Sequence, residues 1–126
     1  MRSRLRLAAL AALVVVLSAC GGSDDGGSAT TVGCKDASQG RVTLVAKDIR
    51  WDTDCLRAEP GPLTIEVDNQ DEGVNHNVHL PDAPGSPATE LEPGLVTQEL
   101  EVTLDAGEYE YICDLHPNMV GTLTVG

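Results

Sequence analysis

Residues 108–125 read EYEYICDLHPNMVGTLTV. The outer parts, Glu108–Cys113 and Gly121–Val125, are rich in Tyr, Ile, Val and Thr and have the length of β-strands. Between them stand Cys113, His116 and Met119 at three-residue intervals. The same texture continues upstream. In Thr97–Leu104, TQELEVTL, the apolar Leu100, Val102 and Leu104 alternate with Glu99, Glu101 and Thr103, the period-two pattern of a half-buried strand. Pro62–Val67, PLTIEV, repeats it with Leu63, Ile65 and Val67. Arg41–Ala46, RVTLVA, reads as another strand, with Ile49 and Trp51 continuing it past a bend at Asp48. A short strand is expected over His76–Leu80, after the turn-prone NQDEGVN. Residues 81–94, PDAPGSPATELEPG, carry four prolines and predict a long surface loop. No stretch keeps a helical period for three turns, and no repeat of solenoid length is present. The expected fold is all-β, a Greek-key sandwich or barrel of about seven strands.

The chain has 126 residues, which allows one domain. From Cys20 onward five basic residues face 20 acidic ones, a net −15. That excludes binding nucleic acid by phosphate neutralisation, and it argues against docking by charge on anionic lipid. With no Phe and three aromatic residues in all, base-stacking platforms are excluded as well. The N-terminus has a different character. Arg2, Arg4 and Arg6 precede an apolar run from Leu7 to Ala19, too short for a stable transmembrane helix and suited to a secretory signal. The end of that run, Leu17-Ser18-Ala19-Cys20, resembles the bacterial lipobox, which implies a signal over 1–19 and lipidation at Cys20. Residues 20–33 then form the attachment site and a Gly/Ser-rich linker with a reach of roughly 20 Å. The folded domain is expected over 34–126, exported and tethered to the membrane by lipid.

A thiol, an imidazole and a thioether leave one tight connection at Cys113, His116 and Met119, and His76 supplies a second imidazole from another strand. One thiolate, two imidazoles and a weak thioether make the donor set of a blue-copper site, with the Met in the axial place. Zinc would gain little from the thioether. Two residues between Cys113 and His116 let both side chains turn to one point, and His76 makes the site depend on the fold. Taken alone, Cys113 would read as a small buried hydrophobe, His76 as a turn residue and Met119 as core packing; the combination carries the reading.

The segment Cys113-Asp-Leu-His116-Pro117-Asn-Met119 resembles the copper loop of the cupredoxins, the plastocyanin, pseudoazurin and amicyanin group, and is most similar to amicyanin. Gly73-Val74-Asn75-His76-Asn77-Val78 resembles that family's His-Asn-Val segment. The resemblance covers roughly residues 41–126. It implies His76, Cys113, His116 and Met119 as ligands of one type 1 copper, and Asn77 as the asparagine that ties the two ligand segments together. It also implies His116 as the exposed edge through which electrons pass. Two departures stand out: the absence of Phe, and Leu115 where plastocyanin and amicyanin have proline.

His79 is expected on the surface, on the face opposite His76, with a rival assignment of His79 as the ligand. Cys34 and Cys55 are not needed for copper, and export favours a disulfide between them; two free thiols or a second metal site are the alternatives. Trp51 reads as core. The acidic runs Asp24-Asp25, Asp68–Glu72, and Glu90 with Glu92 read as solvated surface, with steering toward a basic partner as the functional alternative. The leading function is a monomeric, non-enzymatic carrier of single electrons to a redox protein such as a cytochrome, oxidase or dehydrogenase. Copper delivery is the alternative. A small oxidoreductase is disfavoured, because four protein ligands leave no open metal position.

Overall fold

The computed structural model describes residues 33–126. The expected signal sequence, Cys20 and all but the end of the linker lie outside the described residues. Within them the regular elements are strands: β1 (Lys35–Asp36), β2 (Arg41–Ala46), β3 (Cys55–Ala58), β4 (Gly61–Asn69), β5 (Asn75–His76), β6 (Glu92–Pro93), β7 (Val96–Leu104), β8 (Gly107–Cys113) and β9 (His116–Val125).

One sheet has the order β2-β4-β7, a second β1-β3-β9-β8, and β5 with β6 forms a small ribbon. β2 and β4 run parallel, with Val42 opposite Ile65 and Leu44 opposite Val67. A parallel pair needs a crossover, and β3 supplies it from the other sheet. β4 pairs antiparallel with β7 along its whole length, Ile65 opposite Leu100. The alternating residues do what their period dictates. Val42, Leu44, Leu63, Ile65, Val67, Leu100 and Leu104 from one sheet share a buried cluster with Leu56, Tyr111, Leu123 and Val125 from the other. This is an all-β sandwich. Removing such side chains from water, at roughly 1.5–3 kcal/mol each, is its main source of stability.

Three strands were not legible: β1, β3 and, inside the expected surface loop, β6. β1 and β3 are short and carry charge, yet Leu56 is fully buried and β3 pairs with β9 in the middle of its sheet. Cys34 and Cys55 form a disulfide that staples the start of the domain to β3. The expected strand over His76–Leu80 is reduced to Asn75–His76; beyond it, single bridges pair His79 with Ile112 on β8 and with Ala88. The proline-rich stretch turns over residues 81–85 and then runs without regular structure, apart from the bridge at Ala88, to β6. Ala83 within it, and Val78 and Leu80 just before it, are nonetheless buried in the main cluster. Tyr111 lies fully buried over Gly121, where a Cβ would overlap the ring, and its hydroxyl donates to the Thr53 carbonyl at 2.8 Å.

Candidate metal centre

β8 and β9 form a hairpin whose turn is Asp114-Leu115, so Cys113 stands directly opposite His116. Side chains opposite one another in a hairpin leave the same face about 5 Å apart. One position further along, Ile112 pairs with Val120, which leaves Pro117–Met119 without partners on β8. This irregularity breaks the alternation of β9. Met119, Gly121, Leu123 and Val125 face inward, and strict alternation would turn His116 away from Met119. The bulge lets both serve one side. The expectation of a free loop between two strands is thus refined: the ligand segment is the closed end of a hairpin.

His76 reaches the same place from β5. Its segment is held against β8 by reciprocal backbone bonds, His79 N to Ile112 O at 3.0 Å and Ile112 N to His79 O at 2.9 Å. Asn77 adds a second clamp. Its Oδ1 accepts from Asp114 N at 3.0 Å, and its Nδ2 donates to Asp114 Oδ2 at 2.7 Å and to Thr89 O at 3.3 Å. Asn77 is almost wholly buried. It joins the His76 segment to the residue immediately after Cys113.

The result is a cluster in which Cys113 Sγ lies 3.8 Å from His76 Nδ1 and 3.4 Å from His116 Nδ1. The donor atoms of all three lie within 4.8 Å of one another. The two imidazole rings are 4.7 Å apart and tilted by 56°. Cys113 and His76 are buried, and His116 is half-buried. Met119, fully buried, packs with Cys113 and Ala46, and Trp51 closes that small cluster against the main core. Sequence reasoning named His76, Cys113, His116, Met119 and Asn77, and all five meet here. His79 does not join them. Its ring is half-buried, with Nδ1 2.7 Å from Asp114 Oδ1 and Nε2 2.7 Å from Ser86 Oγ.

Three contributors were not singled out from sequence. Asp71 places Oδ2 2.9 Å from His76 Nε2. Burial raises the pKa of its carboxyl, but bonds from Ile49 N, His76 and Asp48 N outweigh this and hold it below the ordinary carboxylate range. Asp114 is held low by its bonds to Asn77 and His79. Asn118, between His116 and Met119, donates from Nδ2 to the Ile49 carbonyl at 2.7 Å. Asp71 could have been suspected from its place five residues before His76, and Asp114 from its place inside the ligand motif. His116 itself is shifted below the usual histidine value, chiefly by burial and then by the neighbouring His76, against an opposing pull from Asp71. The neutral ring with a free lone pair is the form that binds a metal.

The donor set fits a copper ion. Donors at the usual 2.0–2.3 Å from a shared first-row metal stand roughly 3.6 Å from each other, and the two sulfur–nitrogen separations bracket that value. A buried thiol facing two imidazoles beside a buried thioether is the combination that favours copper over zinc.

Several solved structures share this architecture. A proline-to-glycine variant of amicyanin, in the reduced Cu(I) form at pH 4, is 26% identical, with a TM-score of 0.56 over 71% of this chain and 86% of that one. An oxidised proline-to-alanine variant of amicyanin is 25% identical, with a TM-score of 0.57 over the same shares. A copper-containing nitrite reductase from Thermus scotoductus SA-01 shares the fold at 24% identity and a TM-score of 0.57, over 68% of this chain but 22% of that one. No curated protein matches the sequence. Residues 7–125 match the family model of the cupredoxin-like domain, and with nearly its whole length matched the chain belongs to that family.

Proposed function

We propose that the protein is a type 1 copper protein that carries single electrons outside the cytoplasm. The observation that supports this best is the position of the buried Cys113 Sγ, 3.8 and 3.4 Å from the two imidazole Nδ1 atoms, beside the buried Met119. In this reading Cys113, as thiolate, with His76 and His116, as neutral imidazoles, holds copper, and Met119 is the weak fourth donor. Copper supplies a one-electron couple. The chain's part is to keep the same donors in place in both oxidation states, so that little rearranges on electron gain or loss. The hairpin turn, the Asn77–Asp114 clamp and the buried Met119 serve that rigidity. With four protein donors no position is left for a substrate, which suits a carrier and not an enzyme.

His116, half-buried at the hairpin tip, is the proposed electron port toward a redox protein such as a cytochrome, oxidase or dehydrogenase. The Cys34–Cys55 disulfide suits an oxidising compartment. We assign residues 1–19 as a lipoprotein signal, Cys20 as the lipidated residue, 20–33 as the tether, and 34–126 as the copper domain of a monomer. Voltammetry of the copper-loaded chain tests the electron-transfer role: one reversible one-electron wave is expected. Rapid loss of copper to a chelator with no reversible wave would instead indicate metal delivery.

A further inference from the structure

Asp48 and Ile49 have φ values of 53° and 54°. They are the central residues of a turn closed by Lys47 N to Arg50 O at 3.0 Å and Arg50 N to Lys47 O at 3.1 Å. Two successive positive φ angles mark the mirror-image turn that ordinarily takes Asn-Gly. A β-branched residue there is a steric outlier, and such strain persists only where the surroundings over-determine it.

The surroundings lead to the metal centre from both sides. Asp71 Oδ1 accepts from Asp48 N at 2.6 Å and Asp71 Oδ2 from Ile49 N at 2.9 Å. Asn118 Nδ2 donates to the Ile49 carbonyl at 2.7 Å. The Oδ2 that holds Ile49 also stands 2.9 Å from His76 Nε2. Asp71 is itself pinned: its N–H donates to Oδ1 of the buried Asn69 at 3.0 Å, and Gly94 packs against its carbonyl, where a Cβ would overlap.

We propose that the Asp48–Ile49 turn is a brace that aims Asp71 at His76, which makes Asp71 a positioning residue fixing His76 in the Nε2–H tautomer. The brace also ties the His76 side of the centre, through Asn118, to the segment between His116 and Met119. An ionised carboxylate only accepts hydrogen bonds, so the nitrogen facing it carries the proton. Nδ1 is then left with a lone pair directed at Cys113. A partner on the outer nitrogen of a ligating histidine both orients the ring and raises its basicity, and its loss typically costs 10–100-fold in metal affinity. The fixed negative charge also favours the more positive metal state. The consequences for copper rest on the function proposed above; the tautomer does not.

The test is nitrogen-15 NMR of the imidazoles in the full metal-free chain. His76 is expected as Nε2–H, and an Nδ1–H form or an exchanging mixture in the unaltered protein overturns the proposal. Asp71→Asn, which presents an acceptor and a donor in place of two acceptors, should abolish the bias; an unchanged tautomer in that variant also overturns it. On loading with copper, Asp71→Asn should shift the Cu(II):Cu(I) affinity ratio about tenfold toward Cu(I), a rise in potential of about 59 mV. An unchanged or lower potential contradicts the electrostatic part. Ile49→Gly keeps every backbone bond of the brace, so it should preserve the tautomer and raise the melting temperature; a fall would refute the strain. Failure of the unaltered chain to develop a copper–thiolate band, with His76 still Nε2–H, would remove the copper reading and leave the brace intact.

Discussion

Along β4 the buried Leu63, Ile65 and Val67 alternate with the half-buried Thr64, Glu66 and Asp68, and β7 answers them residue for residue. At the closed end of the β8–β9 hairpin the alternation fails within three residues, and the side chains gathered there carry nitrogen and sulfur donors. Of the four buried polar residues among the described residues, Thr53, Asn69, His76 and Asn77, three lie on the segments that carry or support His76. The plain sheet is held by apolar burial that tolerates substitution, since each side chain contributes area. The centre is held by directed hydrogen bonds, each of which fixes one atom. A protein of this kind confines irregularity to the place where geometry matters and lets the rest of the sandwich absorb its cost.

Substitutions in the two regions should therefore separate stability from site chemistry. Ile65→Ala in the plain sheet should cost about 2–5 kcal/mol in urea unfolding, while leaving the copper spectrum of the folded fraction unchanged. An altered spectrum would break the division. Asn77→Ala should cost less in stability, about 1–3 kcal/mol for the groups left unpaired on Asp114, yet weaken copper binding about tenfold by competition titration. Equal effects of both variants on copper would show that the clamp has no special role.

The smallest expected effect concerns the acid stability of the metal-free chain. His116 is shifted below the ordinary value of 6.5, so as pH falls through 6.5 the unfolded chain takes the proton first, and stability declines until native His116 is protonated too. Asp71 and Asp114 lie below the ordinary 3.8, so their contribution is full above that pH and is lost as pH falls through their lowered values. Unfolding midpoints recorded against pH should decline in two stages, the first near 6.5. His116→Gln should remove the first stage and keep the second.

The strands of the main sheet were legible because their period is two and one face is apolar. Cys113, His116 and Met119 were legible because soft or borderline donors at short spacing have few other uses; His76 gained its weight, and Asn77 its role, from the resemblance of Gly73–Val78 to the cupredoxin His-Asn-Val segment. β3 escaped because its place comes from pairing with β9, and β1 because it only adds an edge to β3; a charged two- or four-residue strand leaves no pattern. The length of β9 was underestimated because the pairing of Cys113 with His116 belongs to hairpin geometry, which Pro117 disguises. The role of Asp71 could not be read for a different reason. It depends on Asp48 and Ile49, more than 20 residues upstream, adopting successive positive φ angles, which a β-branched Ile strongly disfavours.

The central claim is that Cys113 ligates copper together with two imidazoles. Its most direct test is the visible and electron paramagnetic resonance spectrum of the chain titrated with one equivalent of Cu(II), alongside Cys113→Ser. The account predicts an intense visible thiolate-to-copper band that saturates at one copper per chain and is absent from the variant. A colourless Cu(II) complex, or a band of full strength in Cys113→Ser, would contradict it.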